Sequence, residues 1–123
     1  MTPLSERILE IVVGRGSVSF AELDRVEGFG GGDQELIVDG DQLSNVIVWQ
    51  RLTEAAVDAI AELQREKFIE LKGASRLIYL IDGCSLRLPL AKSRRHYKKP
   101  RWWPAVLNAT AAGREALHQK AAS

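Results

Sequence analysis

The chain has 123 residues, 46% hydrophobic and 27% charged, a balance ordinary for a soluble globular protein. Its length suits one domain that buries roughly two-thirds of its unfolded surface, and no apolar run approaches the roughly 20 residues of a membrane span. The polar start MTPLSERILE lacks the features of a signal peptide, and the lone Cys84 excludes an internal disulfide, so a reducing, cytoplasmic setting is expected.

The net charge of +1 hides a strong segregation. Residues 1–82 hold 15 acidic and eight basic side chains, a balance of −7, whereas residues 83–123 hold nine basic and one acidic, a balance of +8. No acid stands between Asp82 and Glu115. Such asymmetry points to a polyanion-facing end on an acidic body.

In chain order, Thr2-Pro3 reads as an N-cap followed by proline at the first helical position. Leu4, Ile8, Ile11 and Val12 share one face, and Gly14 or Gly16 ends the helix. Ser19-Phe20-Ala21-Glu22 is a capping box, and Phe20, Leu23 and Val26 give a short second helix its inward stripe. The run from Gly28 to Asp33 is expected to be a flexible linker; it lacks the Lys-Ser/Thr ending of a phosphate-binding loop. Leu36–Val38 and Asn45–Trp49 read as strands joined by an Asp39-Gly40 turn. Asp33, Asp39 and Asp41 do not have the spacing of a calcium loop.

The stretch from Thr53 to Leu71 organises the chain. Thr53 is the expected N-cap, Val57, Ile60, Ala61 and Leu63 recur at helical spacing, and Phe68, Ile69 and Leu71 carry the apolar signal into a strand. Beyond a Gly73–Ser75 turn, the apolar run Leu77–Ile81 suits a central strand, and Asp82-Gly83 turns again. Cys84, Leu86, Leu88 and Leu90 then alternate with polar residues as in a half-buried strand. Trp102–Leu107 reads as a further strand, with Pro104 placing it at an edge or bulge, and a last helix starts near Thr110 and buries Ala116 and Leu117. Two short helices, a longer helix that passes straight into a strand, and further strands make the expected fold α+β. In particular they predict a single winged-helix domain over residues 1–123, with an inserted β-hairpin at about 28–50 and an antiparallel wing sheet.

Lys92, Arg94, Arg95, Lys98, Lys99 and Arg101 put six cations into ten residues. If the strands on either side pair, they occupy a hairpin tip, the position of a wing. Each cation there can displace counterions from a nucleic-acid backbone. Arg87 and Tyr97 are candidates for support, and Tyr97, Trp102 and Trp103 for stacking. The competing reading is a solvated loop over inward-facing tryptophans, and neighbours on a strand require one of Trp102 and Trp103 to point inward. The long helix argues against groove reading, because Glu54, Asp58, Glu62 and Glu66 form one acidic stripe that phosphates would repel. That stripe reads either as a solvated face, with Glu62 and Arg65 partly compensating, or as a docking surface for a basic protein partner.

His96 and His118 stand apart from Cys84 and from any carboxylate pattern, so no metal cluster is expected. No nucleophile elbow is present, Cys84 reads as an inert buried thiol, and neither a catalytic constellation nor a cofactor is called for.

The closing stretch Val106–Leu117 resembles the end of bacterial winged-helix regulators of the MarR and PadR type, where a wing strand enters a helix beginning Leu-Thr-x-x-Gly-Arg-x-x-Leu. Thr110, Gly113, Arg114 and Leu117 match at the same offsets, with Ala109 in place of the first Leu. AELQREKFIEL is similar to the end of their recognition helix and the first wing strand. The resemblance spans roughly 53–117 and, more loosely, 4–26. It implies a bacterial or phage-type transcriptional regulator that binds DNA as a homodimer, with a helix in the major groove and wings over the backbone. The chain departs from that family in its long insertion, its acidic helix face and its lack of long dimerisation helices.

Overall fold

A computed structural model describes residues 1–38, 45–93 and 95–122. These residues form a mixed α+β structure of five helices and two small three-stranded sheets.

The first helix, α1, spans Pro3–Arg15 and is capped by Thr2, whose hydroxyl accepts from the Ser5 amide; Gly16 ends it at φ +81°. Ile8, Leu9 and Val12 are buried, whereas Leu4 and Ile11 are half-buried on the flanks of that stripe. Strand β1, Ser17–Ser19, leads into the one-turn helix α2, Phe20–Leu23, where the Ser19 hydroxyl accepts from the Glu22 amide as the capping pattern requires. Glu22 also pairs with Arg15 at 3.1 Å, tying α2 to the end of α1.

The glycine run is not a linker. Gly30–Ile37 forms strand β2, antiparallel to β3 at Val46–Leu52. Gly30 and Gln34 both face Leu52, so residues between them bulge from the ladder. Gly31 adopts φ +84°, and a Cβ on Gly32 would lie 2.2 Å from the Leu52 carbonyl oxygen. Glycine is thus needed for close backbone approach rather than for looseness. The predicted Asp39-Gly40 turn lies outside the described residues.

Helix α3 covers Glu54–Arg65 with Thr53 as N-cap. Ala56, Ala59, Ile60 and Leu63 face inward, while Ala61 is exposed and Val57 half-buried. Lys67 at φ +61° turns the chain out of the helix, and β4, Ile69–Gly73, follows as expected. It pairs antiparallel with β6, Ala105–Ala109, which also pairs with β1, so the first sheet has the order β1-β6-β4. Helix α5, Ala111–Ala122, closes the chain against α1, with Lys120 ion-paired to Glu6. Ala116 and Leu117 are half-buried rather than buried.

Between β4 and β6 the chain makes an excursion, and here three expectations fail. Leu77–Ile81 is not a strand: Arg76–Asp82 is helix α4, capped by the Ser75 hydroxyl and stopped by Gly83 in the left-handed region. Tyr79 alone turns inward, while Leu77, Ile78, Leu80 and Ile81 face solvent. Residues 84–89 form no strand despite their alternation, and Leu90 makes a single parallel bridge to Trp102. The predicted last strand is broken at Trp103-Pro104 into two pieces that serve different sheets. Its first piece, β5 at Arg101–Trp102, runs parallel to β3, giving the second sheet the order β2-β3-β5. Basic residues 91–101 therefore do not cap a hairpin.

The two segments that interrupt the first sheet thus meet each other in the second. Phe20, Phe29, Trp49, Tyr79 and Trp102 pack around that junction, with Trp49–Tyr79 and Tyr79–Trp102 ring centroids each 5.1 Å apart. The Tyr79 hydroxyl donates to the Ala105 carbonyl at 2.5 Å and accepts from the Phe20 amide at 3.1 Å. It joins α4 to β6 and α2 in the core.

Candidate nucleic-acid interface

The basic segment folds around Tyr97. Its hydroxyl accepts from the backbone amides of Lys92 (3.0 Å) and Ser93 (3.2 Å). The guanidinium carbons of Arg95 and Arg101 lie 5.1 and 4.8 Å from its ring centroid, within the range of cation–π attraction. Asn45 closes the loop from the other side: its side-chain amide donates to the Tyr97 carbonyl and its own carbonyl accepts from the Arg101 amide, both at 2.8 Å. Arg101 is held further by an Nη1 bond to the Leu90 carbonyl at 3.2 Å.

These contacts sort the predicted residues. Tyr97 and Arg101 build the loop, with two guanidiniums against the Tyr97 ring. Trp102 is buried and offers no stacking face, so it is the inward-facing one of the pair, whereas Trp103 is half-buried with its ring edge near Gly73. Lys92, Arg95, Lys98 and Lys99 are exposed. No carboxylate pairs with Lys92, Lys98 or Lys99 among the described residues. Arg94 lies outside the described residues. Arg87 is placed instead in a recess lined by Asp24, Trp49, Gln50, Arg51 and Cys84.

Desolvation works against ionisation of Tyr97, but it is outweighed by the hydrogen bonds from Ser93, Arg95 and Lys92, and the phenol is lowered to about 8. Tyr79 moves the other way, its ionisation suppressed chiefly by burial. Burial also raises the Asp24 carboxyl, against the opposing bond from the Trp49 indole. Cys84 is exposed rather than buried on a strand. Partial desolvation and the Asp24 charge push its thiol up, against Arg51, which disfavours the reactive thiolate.

On α3, Glu54, Asp58 and Glu66 are exposed and Glu62 is half-buried. The expected Glu62–Arg65 pair does not form, and Glu62 Oε1 is buried without a hydrogen-bond partner among the described residues. Among the described residues no group of three or more His, Cys, Asp or Glu side chains is placed to hold a metal ion, and no helix is long and apolar enough to cross a membrane.

Sequence reasoning missed the exposed apolar face of α4. Its signal was present in the run Leu77-Ile78-Tyr79-Leu80-Ile81, but a short apolar run does not by itself distinguish a buried strand from a helix. No family model matches the chain, and comparison with curated proteins and with solved structures finds no significant similarity.

Proposed function

We propose that the chain is a winged-helix protein that binds DNA, acting as a transcriptional regulator, and that its contact is mainly to phosphates through the basic part of the β4–β6 excursion. The observation that carries this reading is the set of exposed Lys92, Lys98 and Lys99, without carboxylate partners among the described residues, in a stretch that has no acid from Gly83 to Arg114. The connectivity supports it as well. With β2–β3 and the excursion set aside, the elements run α1, β1, α2, α3, β4, β6, α5, with sheet order β1-β6-β4. The excursion leaves at Gly73 and returns at Ala105, residues that face each other in the ladder, which is where a wing would leave.

The exposed acids of α3 make groove reading by that helix unfavourable, so affinity is expected to be largely independent of sequence. If Lys92, Arg95, Lys98 and Lys99 all engage B-DNA, log K falls against log salt with a slope of about −3.6. Replacing Lys92, Lys98 and Lys99 by Ala then reduces the slope by about 2.7, as measured by fluorescence anisotropy on a random duplex across a salt series. An unchanged slope in the triple variant removes the assignment.

A second reading draws on the same α3 observation. Glu54, Asp58, Glu62 and Glu66, left without an Arg65 pair, would serve as the docking face for a basic protein partner on a scaffold that does not bind nucleic acid. It predicts no salt-dependent duplex binding at all, so the same titration separates the two.

A further inference from the structure

Helix α4 places Leu77, Leu80 and Ile81 in solvent at 60%, 61% and 85% exposure. With Met1 and Ile78 they make up the exposed large apolar side chains among the described residues. The helix is not loose: Tyr79 anchors it at its middle, and the Ser19 hydroxyl donates to the Asp82 carboxylate at 2.5 Å at its end. Beside it, Arg76, Leu80, Leu86, Leu88, Leu90 and Trp102 line a recess of about 240 Å³. Trp102 is 2% exposed, and its indole N–H has no acceptor among the described residues. Two cations flank this face without a carboxylate partner among the described residues, against one carboxylate, Asp82. Arg76 opens the helix, Arg25 donates to the Asp82 carbonyl at its far end, and the sole α4 acid is engaged by Ser19.

The geometry points to a docking site for an acidic amphipathic segment of a partner protein. Its apolar side chains would lie on Leu77, Leu80 and Ile81 and enter the recess, its carboxylates would meet Arg76 and Arg25, and it would supply an oxygen acceptor near Trp102. Apart from Met1, the exposed large apolar surface of a second copy is, among the described residues, this same patch. Along α4 a second copy would offer Arg76 one carboxylate, Asp82, which Ser19 already engages, whereas an acidic segment offers several. An anionic lipid surface would satisfy the cations and the protruding side chains but gives no use to a side-chain-sized recess. Its cations, Arg76 and Arg25, are distinct from Lys92, Lys98 and Lys99, so the two sites can be tested separately although Leu90 lies against both.

The test uses the full chain and two fluorescein-labelled helical peptides of about 14 residues, one with Leu at i, i+3, i+4 and i+7 among Glu and Ala, the other with Lys for every Glu. The acidic peptide is expected to bind and the basic one not. Leu80→Asp and Ile81→Asp should each weaken binding at least tenfold, and Arg76→Glu about threefold. The Lys92, Lys98, Lys99 triple Ala variant should bind the acidic peptide as the parent does, which separates this site from the basic loop. Circular dichroism and thermal midpoints of the α4 variants should match the parent, because these side chains lie outside the core; if an Asp variant fails to fold, the milder Leu77→Ser with Leu80→Ser carries the comparison. No binding of the acidic peptide overturns the proposal, as does equal binding of both peptides, retention of affinity in the α4 variants, or loss of it in the triple variant. A dimer of the parent that Ile81→Asp dissociates, or binding to phosphatidylserine vesicles that Ile81→Asp abolishes, assigns the face to another occupant and also overturns it.

Discussion

Two tyrosines in this chain use their hydroxyls in opposite ways. Tyr79 has its hydroxyl buried between the Phe20 amide and the Ala105 carbonyl and is held neutral there. Tyr97 lies near the surface as an acceptor from Lys92 and Ser93, with cations close by, and its phenol sits at about 8. An unfolded tyrosine titrates near 10. Between those values the unfolded chain holds a proton that the folded chain has released, so stability rises with pH across that window. The contribution is complete above the unfolded value and is lost as pH falls through about 8. The stability difference between the parent and Tyr97→Phe should accordingly widen between about pH 7 and pH 10, as measured by denaturant midpoints at each pH. A constant difference would mean that Tyr97 does not ionise early.

At the scale of elements, the turn from α3 into β4 and the first turn of α5 are built as one unit. The Thr110 hydroxyl donates to the Lys67 carbonyl at 2.7 Å and accepts from the Gly113 amide at 3.0 Å, while the Thr110 amide donates to Phe68. A Cβ on Gly113 would lie 2.1 Å from the Phe68 carbonyl oxygen. The Thr-x-x-Gly spacing thus has a packing cause, independent of DNA. Gly113→Ala is expected to cost about 3 kcal/mol, as overpacking against backbone that has little room to move, and thermal unfolding reads it directly. Elements of this kind were legible in the sequence because their signals are local. Thr2, Ser19 and Thr53 cap the helices they were expected to cap, and α3 runs into β4 where the apolar period changes. What was misread depends on distant partners. The α4 run is helical because Ser75 and Gly83 bracket it and the buried Tyr79 holds it. The alternation at 84–88 meets no strand among the described residues, and the chain joins β5 only at its end, through Leu90 and Trp102. The glycines of β2 are explained by Leu52, about 20 residues away. For the site, the cations of residues 92–101 were visible as composition, but the structural role of Tyr97 and Arg101 follows from contacts with Asn45 and Leu90 that no local pattern encodes.

For the whole molecule, the question is whether the two segments that leave the first sheet are appendages or part of its core. Charge alone would make the basic excursion an add-on to an acidic body. The packing argues otherwise. Trp102 on β5 sits 5.1 Å from Tyr79 of α4 and 6.3 Å from Trp49 of β3, and Trp49 reaches Phe20 on α2 at 6.2 Å, so one aromatic chain links both segments to α2. The Trp102 indole N–H has no acceptor among the described residues, so truncating the side chain costs packing and no internal hydrogen bond. Trp102→Ala should lower stability by roughly 3–5 kcal/mol, which for a domain of this size is a fall of about 12 °C or more in Tm. If the segments belong to the core, that fall appears as one cooperative transition, with far- and near-ultraviolet circular dichroism coinciding. If they are appendages, the near-ultraviolet signal is lost first, and the α1–α3 packing then melts at the parent's temperature. The same comparison bears on the phosphate contact, because a basic loop fixed through β5 to the core holds its lysines in place before DNA arrives and needs less ordering on binding. Trp102→Ala should therefore weaken duplex binding while leaving the slope against salt close to the parent's, since it changes how the lysines are held and not their number.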